Sequence, residues 1–352
     1  MKQSILLIAI ALSVFTACQR VSTEPESPSA FTPPGVFVVN EGNFTTGNAS
    51  LTWFQTDKKT LVPDAFYSVN KVPLGDVANF MTIRNGKGYV VVNNSGVVYV
   101  IDIKTGNFLD KISNLTSPRE LLFVDDSTAW ISDLNNTYIT VVNADNYEVK
   151  GHIDLNGRTS ESMKKIGDTV FVANWSKLNQ QLNNDKILVV DIAKNMVVDS
   201  IQVELEPNSM AVDKDGKLWV LCSGGFMNEI FPALYRINPK IPSIEQKFEF
   251  PDKNSNPHDL TINNDGDNLY FLNGGVFKMN ILSNEIPDEA LVNNSSNNFY
   301  SIGVSPDKEE LFVSDALDYI RNGQIYIYDK SGNLTGKFEA GIIPGYFAFY
   351  FE

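Results

Sequence analysis

Cysteine and histidine are almost missing from this sequence of 352 residues: there are two of each, Cys18 and Cys222, His152 and His258. Two histidines exclude a three-histidine metal centre, and two cysteines exclude a disulfide framework. Basic charge is also scarce. Lys and Arg total 28 against 42 Asp and Glu, a net charge of −14, which repels phosphate backbones and anionic bilayers at long range. Nucleic acid is therefore not expected as a partner, and a membrane only through an anchor. Helical periodicity is nowhere sustained for more than about two turns. What is plentiful is apolar residue, 43%, with 11% aromatic, enough to bury a large core.

The amino terminus reads as an address. Lys2 precedes an apolar run from Ile5 to Leu12, continued through Phe15, and then Thr16-Ala17-Cys18. The run is too short to span a bilayer, and a small residue before a cysteine resembles a bacterial lipoprotein cleavage site. Residues 1–17 are read as the signal peptide and Cys18 as the lipidated first residue, leaving 335 residues with a net charge of −15. An ordinary secretory signal is the other reading of the same run. Residues 18–35, rich in Pro, Ser, Thr and Glu, are read as an extended tether, and 36–352 as the globular unit.

That unit repeats. A short apolar strand ending in a polar turn recurs seven times, starting at Leu51, Val98, Ile139, Ile187, Leu234, Val276 and Ile325, with spacings of 47, 41, 48, 47, 42 and 49 residues. This is the length of one four-stranded propeller blade. A second strand precedes each copy, beginning at Val36, Tyr89, Ala129, Val170, Leu218, Leu269 and Leu311. Six of these are preceded by a third segment, which the first blade lacks. The missing strand appears at the carboxy terminus as Gly345 to Phe351. The pattern predicts an all-β, seven-bladed β-propeller of four-stranded blades, closed by the C-terminal strand as the inner strand of the first blade. A two-sheet sandwich would show neither a fixed period nor an orphan terminal strand.

In such a ring the inner strands begin, and the second strands end, on one rim, so those turns line one mouth. Long loops carry specificity because the scaffold fixes their ends. The fourth blade inserts Trp175 to Asp185, the fifth Ser223 to Pro232 and the seventh Ala316 to Gly323. Together with the strand ends they nominate Glu41, Asn43, Phe44, Asn93, Arg119, Asn135, Arg158, Trp175, Gln180, Phe226, Met227, Phe231, His258, Tyr319, Arg321 and Tyr346 as ligand contacts. Flat apolar surfaces among amides suit a large, partly apolar ligand, although aromatics there also pack loops onto a rim. Glu41, Asn93, Asn174 and Asp315 offer oxygen atoms to a structural calcium ion, and equally are what tight turns require. No other cofactor is expected. His258-Asp259 has no assignable nucleophile beside it, and Cys222, at a strand end, reads as a small apolar core residue.

The segment Val39-Asn40-Glu41-Gly42-Asn43-Phe44, followed by Asn48-Ala49-Ser50-Leu51, resembles the opening of YncE-like propeller lipoproteins of Bacteroidota, and the likeness extends over the mature chain. It implies kinship with BtuG-type surface proteins, which capture vitamin B12 and related corrinoids for a TonB-dependent outer-membrane transporter, others serving ferric siderophores. The resemblance thus implies a non-enzymatic outer-membrane lipoprotein, at the cell surface, capturing a bulky metal chelate. Gln19-Arg20-Val21-Ser22-Thr23 departs from the acidic residues that favour surface export in that group and leaves the periplasmic face open. A ferric catecholate is strongly anionic and needs a basic patch from Arg119, Arg158, Lys177 and Arg321, whereas a corrinoid carries little charge and many amides. Two other classes stay open: a calcium-assisted lactonase-type hydrolase, and a structural or adhesion module with a broad apolar face.

Overall fold

The computed structural model describes residues 31–294 and 297–351; the expected signal peptide and the expected lipidation site, Cys18, lie outside the described residues. Seven antiparallel sheets of four strands form a ring. The inner strands are Pro344–Tyr350, Ala78–Arg84, Pro118–Phe123, Met163–Ile166, Pro207–Val212, His258–Ile262 and Phe299–Val304, for blades 1 to 7. Each packs beside the next, and the last returns to the first. The expected closure is present: Pro344–Tyr350 pairs antiparallel with Gly35–Asn40, Val36 opposite Phe349 and Val38 opposite Phe347.

Burial alternates along the second strands with a period of two, and each face packs on a different neighbour. Val36 and Val38 pack against blade 7, while Phe37 and Val39 pack against blade 2. The same division gives seven apolar clusters, one at each blade interface. Because both faces are covered, these strands read as continuous apolar runs. The fourth strands, such as Phe108–Ile112 and Val149–Asp154, are mostly exposed, and no apolar run marks them. One short helix, Ala65–Asn70, bridges blades 1 and 2, burying Ala65 and Phe66. Among the described residues no helix is long and apolar enough to cross a membrane.

The end of the expected tether is part of the globule. Phe31 is buried against Phe37 and Trp53, its ring centroid 5.3 Å from that of Phe37, and its N–H donates to Lys104 O at 2.6 Å. An aromatic side chain on a Pro-rich stretch suffices to dock it over the seam between blades 1 and 2.

The repeat also shows where buried polar groups are satisfied. In blade 5 the Trp219 indole N–H donates to Asp213 Oδ2 at 2.8 Å. Trp130 of blade 3 has the same register, opposite Leu122 as Trp219 is opposite Ala211. There Val124 stands where Asp213 would be, and the Trp130 indole has no acceptor among the described residues. Asp213→Ala would strand the second indole as well, at a cost of about 1–3 kcal/mol. The expected drop in urea midpoint, with unchanged m-value, is measured by equilibrium unfolding.

Candidate functional site

A funnel of about 630 Å³ opens where the inner strands begin and the second strands end, on the side of blades 4 to 7. Its walls include Trp175 and Phe226 from the long loops of blades 4 and 5, Tyr319 from blade 7, and Tyr300 and His258 from the inner strands. Five asparagines complete it: Asn208, Asn228, Asn254, Asn256 and Asn298. Below lies an inner channel of about 510 Å³, reached past Arg119, Glu161, Asn208, Ser209, Asp259 and Gly345, which line both.

The throat between them is built from charged groups of three blades. Arg119 Nε lies 2.8 and 2.9 Å from the two oxygens of Glu161, and Nη2 lies 2.6 Å from Oε1. The two side chains are only 19% and 15% exposed. Burial works against the Arg119 charge and Glu161 more than restores it; burial likewise pushes the Glu161 carboxyl up while Arg119 pulls it back. The forked geometry holds both as ions. On the channel side Tyr300 Oη donates to Glu41 Oε1 at 3.0 Å. Burial raises Glu41 to about 7 against the opposing pull of Arg119 and the Tyr300 hydrogen bond. Glu41 fits because residue 345 is glycine, where a Cβ would lie 2.5 Å from Glu41 Oε1.

The structure gathers Arg119, Trp175, Phe226, His258 and Tyr319 at the funnel, with Glu41 and Tyr346 on the channel behind it. The Arg119 guanidinium lies 5.9 Å from the Trp175 ring centroid, and Tyr319 meets Tyr300 edge-on at 6.0 Å. Phe226 is 86% exposed, and Met227 beside it 75%. Tyr346 packs against Phe80, the rings tilted by 45°, deep in the channel and not at the rim. Met227, Phe231 and Phe44 are exposed outside the funnel wall.

Other nominated residues work as braces. Asn43 Nδ2 donates to Tyr319 O at 2.5 Å, tying the first blade's loop to the seventh's. Asn93 donates to Ser117 Oγ and Pro118 O, and Gln180, buried, receives the Thr159 N–H and the Asn174 amide. Asn135 caps a turn on Asp133 and accepts from Asn179. Arg158 reaches the Asn183 carbonyl, and Arg321 is exposed and paired with Asp318 at 2.8 Å. The basic patch considered for an anionic ligand does not assemble in the funnel: Arg119 and Arg321 are ion-paired, and Arg158, Lys177 and Arg321 do not line it. Asn93, Asn174 and Asp315 tie turns, Asp315 Oδ1 accepting from Asn298 N and Leu317 N. Of the four suggested calcium donors only Glu41 faces the channel. Among the described residues no three His, Cys, Asp or Glu side chains group as a metal site.

Asp259 and His258 do not form a catalytic pair: Asp259 Oδ2 accepts from Ile302 N at 2.5 Å, latching blade 6 to blade 7, while His258 Nδ1 lies 2.8 Å from Asn256 O. Cys222 is buried and burial pushes its thiol well up, as a core residue requires. Glu161, Tyr300 and Asn208 line the funnel although they are not among the contacts the sequence nominates. Their partners lie one blade or more away, Arg119 and Glu161 being 42 residues apart, and no local pattern marks such a pairing.

The ring and its funnel define a seven-bladed β-propeller with a ligand-sized mouth. The chain belongs to the family described as "Domain of unknown function (DUF5074)", which matches residues 34–341. No curated protein matches it. Among solved structures it is similar to a quinonprotein alcohol dehydrogenase-like protein from Bacteroides thetaiotaomicron, at 14% identity and TM-score 0.69, over 91% of this chain and 79% of that one. It is similar to the dihydro-heme d1 dehydrogenase NirN in complex with DHE, at 11% identity and TM-score 0.59, over 90% and 76%. A streptogramin B lyase matches at 14% identity and TM-score 0.56, over 75% and 83%. At these identities the likeness is one of fold.

Proposed function

We propose that this propeller is a capture protein whose funnel holds a bulky, nearly neutral, amide-bearing metal chelate, a corrinoid before a ferric siderophore. On this reading it binds without chemistry, stands on the outer membrane through lipid on Cys18, and passes its cargo to a TonB-dependent transporter. The observation that supports the reading is the composition of the funnel. Five asparagines and five aromatic rings, those of Trp175, Phe226, Phe299, Tyr300 and Tyr319, line about 630 Å³, and among the described residues the only Lys or Arg in its wall, Arg119, is already neutralised by Glu161. Glu206 and Asp259 add negative charge. A polyanionic catecholate would meet repulsion there, whereas a macrocycle carrying amide side chains finds both donors and acceptors, with flat apolar faces to cover. The sequence likeness to corrinoid-capturing lipoproteins leads to the same ligand.

The test is calorimetric titration of the purified protein with cyanocobalamin and, separately, with a ferric catecholate. Saturable binding of the first and none of the second is expected. Trp175→Ala and Phe226→Ala should each weaken cyanocobalamin binding at least tenfold, because rim aromatics dominate such interfaces. Failure to bind cyanocobalamin, or equal affinity in both variants, would contradict the reading.

A further inference from the structure

We propose that His258 is the axial ligand through which the funnel grips the metal of its cargo. This rests on the capture reading and adds the bond that selects chelates with an exchangeable axial position. His258 is one of two histidines in the chain and the one in the funnel wall. Its Nδ1 lies 2.8 Å from the backbone oxygen of Asn256. A carbonyl oxygen only accepts, so Nδ1 carries a proton, and in the neutral imidazole the lone pair is on Nε2. Nε2 has no hydrogen-bond partner among the described residues and is not among their buried, unpaired polar atoms. An imidazole donating from one nitrogen to a carbonyl and offering the other is the arrangement that orients histidine toward metals.

The backbone that carries the ring is fixed before any ligand arrives. Asn208 Nδ2 donates to Pro257 O at 2.8 Å, and Leu260 N donates to Ser209 Oγ at 2.8 Å. Asn256 N donates to Asn273 Oδ1 at 3.2 Å. Between them Asp259, at φ +57°, is held by its bond from Ile302 N. Four blade-to-blade or turn contacts thus bracket three residues, which is the support a ligating side chain needs. Asn228, Asn254 and Asn256 stand around it to meet peripheral amides.

The step is a ligand exchange. In a cobalt(III) corrinoid with water at one axial position, the Co–O bond breaks and water leaves. The Nε2 lone pair forms the Co–N bond, and neither an electron nor a proton is transferred. Cyanide is not displaced in this way, so the two forms of the cofactor separate this proposal from the one it rests on.

Absorption spectra and calorimetry of the purified protein, without an affinity tag of histidines, test it with aquocobalamin and cyanocobalamin. The bands of the aquo form should shift on binding while those of the cyano form stay, and the aquo form should bind at least tenfold tighter. His258→Ala should remove the shift and bring the ratio of affinities to about one, its fold checked by circular dichroism. His152→Ala should keep the shift, since that ring lies against Tyr138 at 4.3 Å, outside the funnel. Equal affinities with unchanged spectra would overturn the axial ligand and leave capture standing; binding of neither form would overturn both.

Discussion

Truncation after Ile343 leaves no folded propeller. The strand removed, Pro344–Tyr350, pairs along the whole of Gly35–Asn40 and packs between the inner strands of blades 2 and 7. It buries Phe347, Ala348 and Tyr350, sets Phe349 against Phe312 at 5.4 Å, and sets Tyr346 against Phe80 at 4.6 Å. Each buried aromatic contributes about 2 kcal/mol, and the opened edge of Gly35–Asn40 presents unpaired backbone groups to other chains. Against a total stability on the order of 5–15 kcal/mol, these losses are decisive. The truncated chain should lose its near-ultraviolet circular dichroism and elute as aggregate. A cooperative thermal transition within a few degrees of the full chain would show that the ring does not depend on this closure.

Glu41→Gln should stabilise the protein above neutral pH and change nothing in mild acid. The folded protein holds the Glu41 carboxyl near 7 because burial disfavours its charge, while in the unfolded chain it titrates near 4.5. The native state therefore binds this proton more tightly. The stability it contributes is complete below about pH 4.5, is lost as the pH rises through 7, and stays lost above. The gap corresponds to about 3 kcal/mol. Glutamine keeps an oxygen for the Tyr300 hydroxyl and carries no charge to desolvate. At pH 8 the variant should melt roughly 5 °C higher than the native chain, about 1.5 °C per kcal/mol following from the unfolding entropy of a domain of this size. At pH 4.5 the two should coincide. Parallel curves across this range would mean that Glu41 ionises in the fold without penalty.

The ring was legible because both faces of its second and third strands are buried, which makes them apolar runs at a steady spacing. The inner strands were found by what precedes those runs. The fourth strands were not, since Phe108–Ile112 or Met196–Gln202 cover nothing on their outer side and carry the composition of a loop. Helix Ala65–Asn70 escaped because six residues hold no periodicity. At the mouth, chain position showed which turns converge but not what each side chain does there. Asn93 and Gln180 look like ligand donors in the sequence, and in the fold their amides are consumed by neighbouring turns. Arg119 looked like a free charge, and Glu161 answers it from the next blade. Phe226 could be read either as loop packing or as a binding surface, and in the fold it stands exposed at the funnel wall, not packed beneath the loop.

The central claim is that the funnel between blades 4 and 7 is where cargo sits. A crystal structure of the cyanocobalamin complex tests it most directly. The macrocycle is expected over Trp175, Phe226 and Tyr319, with its amide side chains against Asn208, Asn228 and Asn254. A macrocycle bound on the opposite rim, or on the outer face of a blade with the funnel filled only by water, would contradict it.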